Sequence, residues 1–342
     1  MKYPDFIKKG DTIGICSPSG GITDKYKIMQ VEYAIKNLEE KGYKVIITKN
    51  AVGNEEKGRS SDAKIRAGEF MELYENPDVK LIIFSTGGEF LCEMLDYIDF
   101  EKLKSMKPKW IQGYSDISGI ELMFNTILEI PSIYGPTIKH FSMRPFYKTL
   151  DDNIDILCGN EIIQNSLDMY EGTWKKVENE EDVTAQYNFT DKVEWKIIKG
   201  GSNVSFKGRS IGGCFDAITP YFGTKYDNIK SYIYKYKDDG IVWFLECFDL
   251  NTASLYRNLW QMKNSGFFEN CKGLFFGRSL MMREECDMSF EESILKALEE
   301  YDFPIITDVD IGHKPPQISL VNGGIIEVCA NQNKGSIKNY FK

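Results

Sequence analysis

The 342-residue sequence has only two histidines, His140 and His313, and its eight cysteines form no Cys-x-x-Cys pair. A structural zinc site needs clustered cysteine and histidine ligands, so no such site is expected. Several cysteines, Cys16 and Cys247 among them, lie inside apolar stretches. In a chain of this length that usage is typical of reduced thiols, and it predicts a cytoplasmic protein without a disulfide framework.

Long apolar segments are missing as well. Residues 1–11 carry charges throughout and contain no apolar run of the kind an export signal needs. No later segment approaches the length of a membrane span. The net charge of −9 argues against a polyanionic partner, because phosphate binding depends on clustered lysine and arginine. Neither a nucleic acid nor a membrane is therefore expected as a partner.

The first part of the chain alternates short apolar strands, at residues 12–16, 43–48 and 79–84, with amphipathic helical patterns. Such alternation predicts an α/β domain built on a parallel sheet with helices on both faces. The alternation fades after residue 136, and residues 168–192 are polar and acidic, which is typical of a linker or mobile loop.

The predicted division is an N-terminal α/β domain at 1–167, the linker at 168–192, and a more β-rich α/β domain at 193–342. Predicted strands of the second domain cover residues 194–198, 210–213, 241–247, 273–276, 305–309 and 325–329.

The stretch at residues 109–120 carries the first candidate for chemistry. Trp110 and Ile111 end a predicted buried strand, Gly113 permits a sharp reversal, and apolar residues recur at helical spacing from Asp116 onward. Ser115 would then lie on a strand-to-helix turn that exposes its hydroxyl, as in a nucleophile elbow. The match is partial, because Ile117 stands where a second glycine is usual. The alternative is that Ser115 or Asp116 only caps the helix.

Two further loops follow predicted strands of the same sheet. These are residues 17–21 and the turn at Gly87-Gly88, and both can converge with Ser115 at the carboxyl edge. A backbone N–H of this turn could pair with that of Asp116 as an oxyanion hole, although a plain turn explains the glycines equally well. A phosphate loop is disfavoured, since neither Gly-x-Gly-x-x-Gly nor a Gly-Lys-Thr ending is present.

A catalytic serine needs a base and a carboxylate that orients the base. His313 lies just past a predicted strand, between a glycine and two prolines, whereas His140 has no such framing. Either could be a surface residue. Glu246 ends an almost wholly apolar strand, where an unpaired carboxylate would be costly. Its partner could be a histidine N–H, or a lysine or arginine in a salt bridge. The competing carboxylates are Asp249, Asp308 and Asp310.

Taken together, the chain resembles the serine peptidases of the LD-carboxypeptidase family, especially the branch that includes the microcin C immunity proteins. The resemblance covers nearly the whole length. It rests on residues 10–19, Gly87-Gly88, residues 113–116, residues 134–136, Gly212-Gly213, residues 244–246 and Gly312-His313.

This resemblance implies that Ser115 is the nucleophile, His313 the general base and Glu246 the residue that orients the base. It also implies an oxyanion hole from the backbone N–H groups of Gly88 and Asp116. The implied architecture is a flavodoxin-like N-terminal domain and a C-terminal domain that bears the glutamate and histidine. The family resemblance further implies a homodimer and neither a metal nor an organic cofactor.

The sequence departs from the family pattern near the substrate. Glu89-Phe90-Leu91 follows the glycine turn where the immunity branch has Asn-Ser-Asn, and Cys214-Phe215 replaces the usual Asn-Leu. Trp174 lies where that branch carries a loop with aromatic residues, and it could anchor the loop or stack on a substrate. We expect Gly87, Glu89 and Trp174 to contact the substrate, whose identity these departures leave open.

The sequence therefore predicts a serine hydrolase that cleaves, through an acyl-enzyme, the amide bond before the C-terminal residue of a short peptide. The L-D bond of a muropeptide is one example. The alternative substrate is the amide that links an aminoacyl group to a nucleotide analogue, which would give self-immunity. An alternative of another class is a non-catalytic cytosolic sensor that closes on a small ligand.

Overall fold

The computed structural model describes residues 1–341. The strands are β1 (Thr12–Cys16), β2 (Lys44–Ile47), β3 (Val79–Phe84), β4 (Trp110–Gly113), β5 (Ser132–Tyr134), β6 (Ile163–Asn165), β7 (Met169–Tyr170), β8 (Asp191–Lys192), β9 (Lys196–Lys199), β10 (Asn203–Cys214), β11 (Ile241–Glu246), β12 (Cys271–Gly277), β13 (Ile305–Val309), β14 (Leu320–Asn322), β15 (Ile325–Asn331) and β16 (Lys334–Tyr340).

The α-helices are α1 (Lys25–Glu40), α2 (Ala63–Glu75), α3 (Cys92–Leu95), α4 (Phe100–Ser105), α5 (Ser118–Met123), α6 (Lys148–Leu157), α7 (Glu180–Val183), α8 (Phe215–Ile218), α9 (Ile229–Lys235), α10 (Thr252–Asn264) and α11 (Phe290–Ala297). A π-helical turn, Phe124–Leu128, continues α5, and short 3₁₀ turns cover Ser115–Ile117, Ile138–Ser142 and Thr219–Tyr221. None of the described helices is both long and apolar enough to span a bilayer.

The first sheet has six strands in the order β2-β1-β3-β4-β5-β14. Strands β1 to β5 are all parallel and follow the flavodoxin-like order 2-1-3-4-5, so the predicted parallel sheet is confirmed. Strand β14 comes from near the C-terminus and pairs antiparallel with β5, with Leu320 opposite Tyr134. The order reverses between β1 and β3, and the carboxyl ends of these strands meet at the switch point where ligands bind in such sheets.

The second sheet has eight strands in the order β6-β16-β15-β10-β11-β12-β13-β9. Its four central strands, β10 to β13, are parallel, and antiparallel strands flank them on both sides. The mixed, strand-rich C-terminal part that the sequence predicts is therefore confirmed. Strand β16 has no counterpart among the predicted strands, because Lys334, Lys338 and neighbouring polar residues hide its alternation.

The largest apolar core contains residues of both sheets and of the helices that cover them. Strand β11 illustrates the arrangement, since Trp243 and Leu245 join the core that also contains Ile111 and Phe124 of the N-terminal part. Val242 and other alternate residues of the strand point to the opposite face and join a separate cluster. Both faces of β11 are thus buried, which explains its almost continuous apolar sequence.

The 168–192 segment, predicted as a linker or mobile loop, folds back on itself through the pairing of β7 with β8. The N–H of Glu171 donates to the carbonyl of Pro315 at 2.8 Å, and Tyr33 on α1 bonds Glu180. This segment thus packs against parts of the chain on either side of it. The predicted domain limits stay a prediction. Each of the two predicted domains gives a strand to the other part's sheet, because β6 pairs with the second sheet and β14 with the first.

Candidate active site

Ser115 lies on a sharp turn between β4 and α5. Tyr114 is fully extended, with φ −157° and ψ −176°, and Ser115 itself has φ +67°. A positive φ costs a residue with a Cβ roughly 1 kcal/mol or more, and such strain is concentrated at functional sites. The backbone at Ser115 thus has the shape of a nucleophile elbow, although Ile117 occupies the place of the second glycine.

The glycine turn after β3 lies directly against this serine. A Cβ added at Gly87 would be 2.8 Å from the Ser115 Cβ and 2.9 Å from its Oγ, so only glycine leaves the hydroxyl in place. The N–H of Gly20 donates to the Gly87 carbonyl at 3.0 Å. The loops after β1, β3 and β4 therefore meet at one edge of the sheet, as the parallel topology requires.

Asp116, next to Ser115, is buried, and its carboxylate contacts the loop after β1. Its carboxylate accepts hydrogen bonds from Ser19 Oγ at 2.5 Å and from the Leu91 N–H at 2.9 Å. Burial raises the pKa of Asp116 to about 6, although these hydrogen bonds oppose the shift. The side chain of Asp116 thus holds three loops together, and its backbone N–H remains the group of interest for catalysis.

Glu246 and His313 are hydrogen-bonded to each other. Nδ1 of His313 lies 2.9 Å from Oε2 of Glu246, and the Tyr134 hydroxyl donates to Oε1 at 3.1 Å. Glu246 is fully buried at the end of β11, and within residues 1–341 no lysine or arginine forms a salt bridge with it. Of the two partners that the sequence leaves open for Glu246, the structure has the histidine.

The loop that carries His313 is fixed by contacts on several sides. Tyr114 packs edge-on against the imidazole at 5.1 Å between ring centroids, and Phe248 lies at 4.7 Å. The indole N–H of Trp174 donates to the His313 carbonyl at 3.1 Å. Behind the ring, Arg278 donates to the carbonyls of Lys314 and Pro316 at 2.8 and 3.0 Å. The imidazole is therefore held in one orientation.

The competing carboxylates are engaged elsewhere. Asp310 forms a buried ion pair with Arg278 at 2.5 Å. Asp249 pairs with Arg283, and Asp308 pairs with Lys196. They give His313 no carboxylate partner other than Glu246.

The other histidine, His140, has Nε2 3.3 Å from the Tyr114 hydroxyl. Burial and the adjacent Lys139 lower the pKa of His140 to about 3, so this ring is neutral at physiological pH. It forms no ion pair with a carboxylate within residues 1–341.

A cleft of about 480 Å³ lies at these groups and is lined by residues of both parts of the chain. Ser115 and His313 both line it, as do Gly88 and Asp116. The three expected substrate contacts, Gly87, Glu89 and Trp174, also line this cleft. The volume is in the range of small-molecule sites and suits a short peptide or a nucleotide conjugate.

Three buried side chains, two of which line the cleft, could in principle hold a metal ion. Ligand atoms of Cys214, Glu246 and His313 lie within 4.8 Å of one another, a donor set that suits Zn²⁺. However, burial raises the pKa of the Cys214 thiol well above its usual value, so the sulfur keeps its proton. The carboxylate and imidazole are already bonded to each other. The residues therefore fit a hydrogen-bonded pair better than a metal centre.

Sequence reasoning missed several residues of this site. Tyr134 belongs to a segment that supports the family resemblance, yet nothing local assigns its hydroxyl to Glu246. Arg278 directly follows the apolar strand β12, so the signal that singled out Glu246, a charge at the end of an apolar strand, could have found it. Cys214 was noted only as a departure from the family pattern, and no local signal places its thiol beside Glu246 and His313.

Comparison with known families decides the identity. The profile of the LD-carboxypeptidase N-terminal domain matches residues 13–135, and that of the C-terminal domain matches residues 207–328. The chain belongs to the LD-carboxypeptidase family. As a family member it is a hydrolase of the peptidase type, and its relatives include both carboxypeptidase-named proteins and a microcin immunity protein.

This LD-carboxypeptidase family member is 25% identical over 323 residues to a carboxypeptidase-named protein of Vibrio cholerae. The alignment covers 93% of this chain and 92% of that protein. It is also 25% identical over 328 residues to the microcin C7 self-immunity protein MccF of Escherichia coli, with 92% and 89% covered.

Solved structures show the same fold. MccF superposes with a TM-score of 0.80 at 21% identity, over 100% of this chain and 99% of MccF. A muramoyltetrapeptide carboxypeptidase from Oxalobacter formigenes gives a TM-score of 0.73 at 20% identity, over 96% and 99%. MccF has been solved in complex with aspartyl sulfamoyl adenosine and with glutamyl sulfamoyl guanosine.

Proposed function

We propose that the protein is a serine carboxypeptidase-type hydrolase in which Ser115, His313 and Glu246 act as a catalytic triad. The observation that carries this proposal is the 2.9 Å bond between His313 Nδ1 and Glu246 Oε2, in a cleft that Ser115 also lines. With Nδ1 bonded to the carboxylate, Nε2 of His313 is left to accept the proton of Ser115.

The reaction follows from these roles. Ser115 Oγ attacks the amide carbonyl while its proton passes to His313, and the N–H groups of Gly88 and Asp116 hold the oxyanion. His313 then protonates the leaving amine, and the C–N bond breaks to give an ester on Ser115. Water, deprotonated by His313, releases the acyl group and restores the serine. Glu246, held in turn by Tyr134, keeps the imidazole in the tautomer that this exchange requires.

The favoured substrate is a short peptide cleaved before its C-terminal residue, such as the L-D bond of a muropeptide. The carboxypeptidase-named relatives and the shared fold with a muramoyltetrapeptide carboxypeptidase support it. The second candidate is the amide of an aminoacyl nucleotide analogue. The half-exposed indole of Trp174 at the cleft wall favours it, because an aromatic surface there can stack on a base. We further propose a cytoplasmic homodimer that needs no cofactor.

The test combines active-site labelling with turnover. A fluorophosphonate should label the wild type, and Ser115→Ala should lose both labelling and hydrolysis of muropeptides or aminoacyl-sulfamoyl adenosines. Glu246→Gln and His313→Ala should each lower kcat by about 10³-fold or more. Ser202→Ala, at an exposed position, is the matched control and should keep full activity. Full hydrolysis by Ser115→Ala would overturn the proposal. Cleavage of neither substrate class by the wild type would favour a non-catalytic sensor.

A further inference from the structure

The lining of the cleft carries charges of both signs. The lysines of the lining are Lys27, in the first turn of α1, and Lys139, in the turn after β5. The acidic residues of the lining are Glu55, Glu89, Asp116 and Asp216. The proposed triad includes none of these six residues, although the backbone N–H of Asp116 belongs to the proposed oxyanion hole.

Neither lysine has a counter-ion. Within residues 1–341, no carboxylate lies within 4.0 Å of the ammonium of Lys27 or Lys139, and neither ammonium donates a hydrogen bond. Lys139 is mostly buried, and both this burial and the like charge of Lys27 lower its pKa to about 8. A desolvated cation beside a second cation is costly unless a ligand supplies negative charge.

A third group at the same place also lacks a partner. Thr137, two residues before Lys139, is 1% exposed and lines the cleft. Its hydroxyl has no hydrogen-bond partner within residues 1–341. Buried hydroxyls are normally paired, so this donor also points to a missing acceptor. The neighbouring His140 does not fill that role, because its ring nitrogen bonds the Tyr114 hydroxyl.

We propose that Lys139, together with Lys27 and Thr137, forms an anion site that binds the free α-carboxylate of the peptide's C-terminal residue. The inference rests on the proposed function and names the residues that would restrict cleavage to the amide bond before the C-terminal residue. A carboxylate anchored at a fixed place in the cleft presents the preceding amide to Ser115. A peptide that continues beyond this residue has no charge to offer there, and Lys139 stays desolvated and unpaired.

The experiment compares two substrates that differ only in this charge, a peptide with a free C-terminal carboxylate and its C-terminal amide. Lys139→Met should raise KM for the carboxylate about 10- to 100-fold, the effect of losing a charge-assisted hydrogen bond, with kcat changed little. Turnover of the amide should stay at the wild-type level. Lys139→Arg should recover part of the loss, and Thr137→Val should show a smaller effect of the same kind. Lys8→Met, an exposed lysine outside the cleft, is the charge-matched control.

Equal effects of Lys139→Met on both substrates, or an effect on neither, would overturn the proposal. Binding to Ser115→Ala, measured by calorimetry, separates this inference from the triad. If the wild type hydrolyses neither peptide, the proposed function fails. Preferential binding of the carboxylate, lost on adding Lys139→Met, would still support the anion site. Equal binding of the carboxylate and the amide would refute it. Lys139-dependent binding of aminoacyl-sulfamoyl adenosine alone would show that the carboxylate is the wrong occupant.

Discussion

Gly87 has no side chain at the point where the hydroxyl of Ser115 needs room. We expect Gly87→Ala to fold, because one added methyl group costs about 1–3 kcal/mol. It should lower kcat/KM by about 100-fold or more, since displacing the nucleophile by even 1 Å misaligns its attack. Steady-state kinetics together with circular dichroism measure the two effects separately.

The matched control is Gly68→Ala on α2, where an added Cβ meets nothing within 4 Å. That variant should keep its activity and gain about 0.5–1 kcal/mol of stability, because alanine suits an exposed helix better than glycine. Wild-type kinetics for Gly87→Ala would show that the close approach to Ser115 has no catalytic consequence.

Lys139 gives the site a pH dependence. Its pKa of about 8 lies below the usual value because of burial and the nearby Lys27, so the ammonium is present below pH 8 and is lost as the pH rises. KM for a peptide with a free carboxylate should therefore rise above pH 8, by up to about tenfold per pH unit. Profiles of KM against pH, with kcat recorded separately, measure this.

Other titratable groups line the cleft: Lys27, Glu55, Glu89, Cys92, Tyr114, Asp116, Cys214, Asp216, Tyr221 and His313. Asp116, with a pKa of about 6, is already ionised above pH 7, and burial raises the pKa values of Tyr114 and Cys214 so that both stay neutral. Lys139→Arg should abolish the rise, because arginine keeps its charge. An unchanged profile in that variant would assign the rise to another group.

At the scale of elements, the loop after β13 shows how a histidine is oriented by contacts distant in sequence. Trp174→Phe keeps an aromatic ring but removes the N–H that bonds the His313 carbonyl. One lost hydrogen bond should lower kcat/KM by about 3- to 10-fold and leave the melting temperature nearly unchanged. Trp260→Phe on α10 is the control, because this tryptophan is similarly exposed and its indole forms no hydrogen bond with any residue of the described range 1–341. Identical kinetics for the two variants would show that this bond does not position His313.

Element ends are also where the sequence offers its candidates for catalysis. Ser115 and His313 follow strands with a strong apolar pattern, and Glu246 ends one, so each of these polar residues is visible in the sequence alone. Arg278 and Lys139 were missed. Arg278 matters because it pairs with Asp310, which lies 32 positions further along the chain, and Lys139 matters because no counter-ion lies near it among the described residues of the folded chain. Neither fact produces a periodicity in the sequence.

At the scale of the whole molecule, β14 joins the C-terminal part of the chain to the first sheet, and one apolar core contains residues of both parts. We therefore expect a single cooperative unfolding transition, with the calorimetric enthalpy close to the van't Hoff enthalpy. Two resolved transitions in scanning calorimetry would contradict this expectation.

Leu320→Ala, in β14, tests the role of that strand. Leu320 is fully buried, and its truncation should lower the free energy of unfolding by about 2–5 kcal/mol and move the whole transition. Ile163→Ala on β6 is the control, because that side chain is 57% exposed and its truncation should cost little. Loss of stability confined to one part of the chain, seen by hydrogen exchange, would show that the sheets unfold separately.

The sequence by itself determined the parallel sheet of β1 to β5, because helix and strand periodicity are local and strong there. It also indicated three polar residues at strand ends. Only the tertiary structure decided that Glu246 rather than Asp310 meets His313, since Arg278 neutralises Asp310. It alone decided that β14 completes the first sheet and that Lys139 lines the cleft without a counter-ion among the described residues. These outcomes depend on contacts between residues tens to hundreds of positions apart, whose energies the local pattern does not contain.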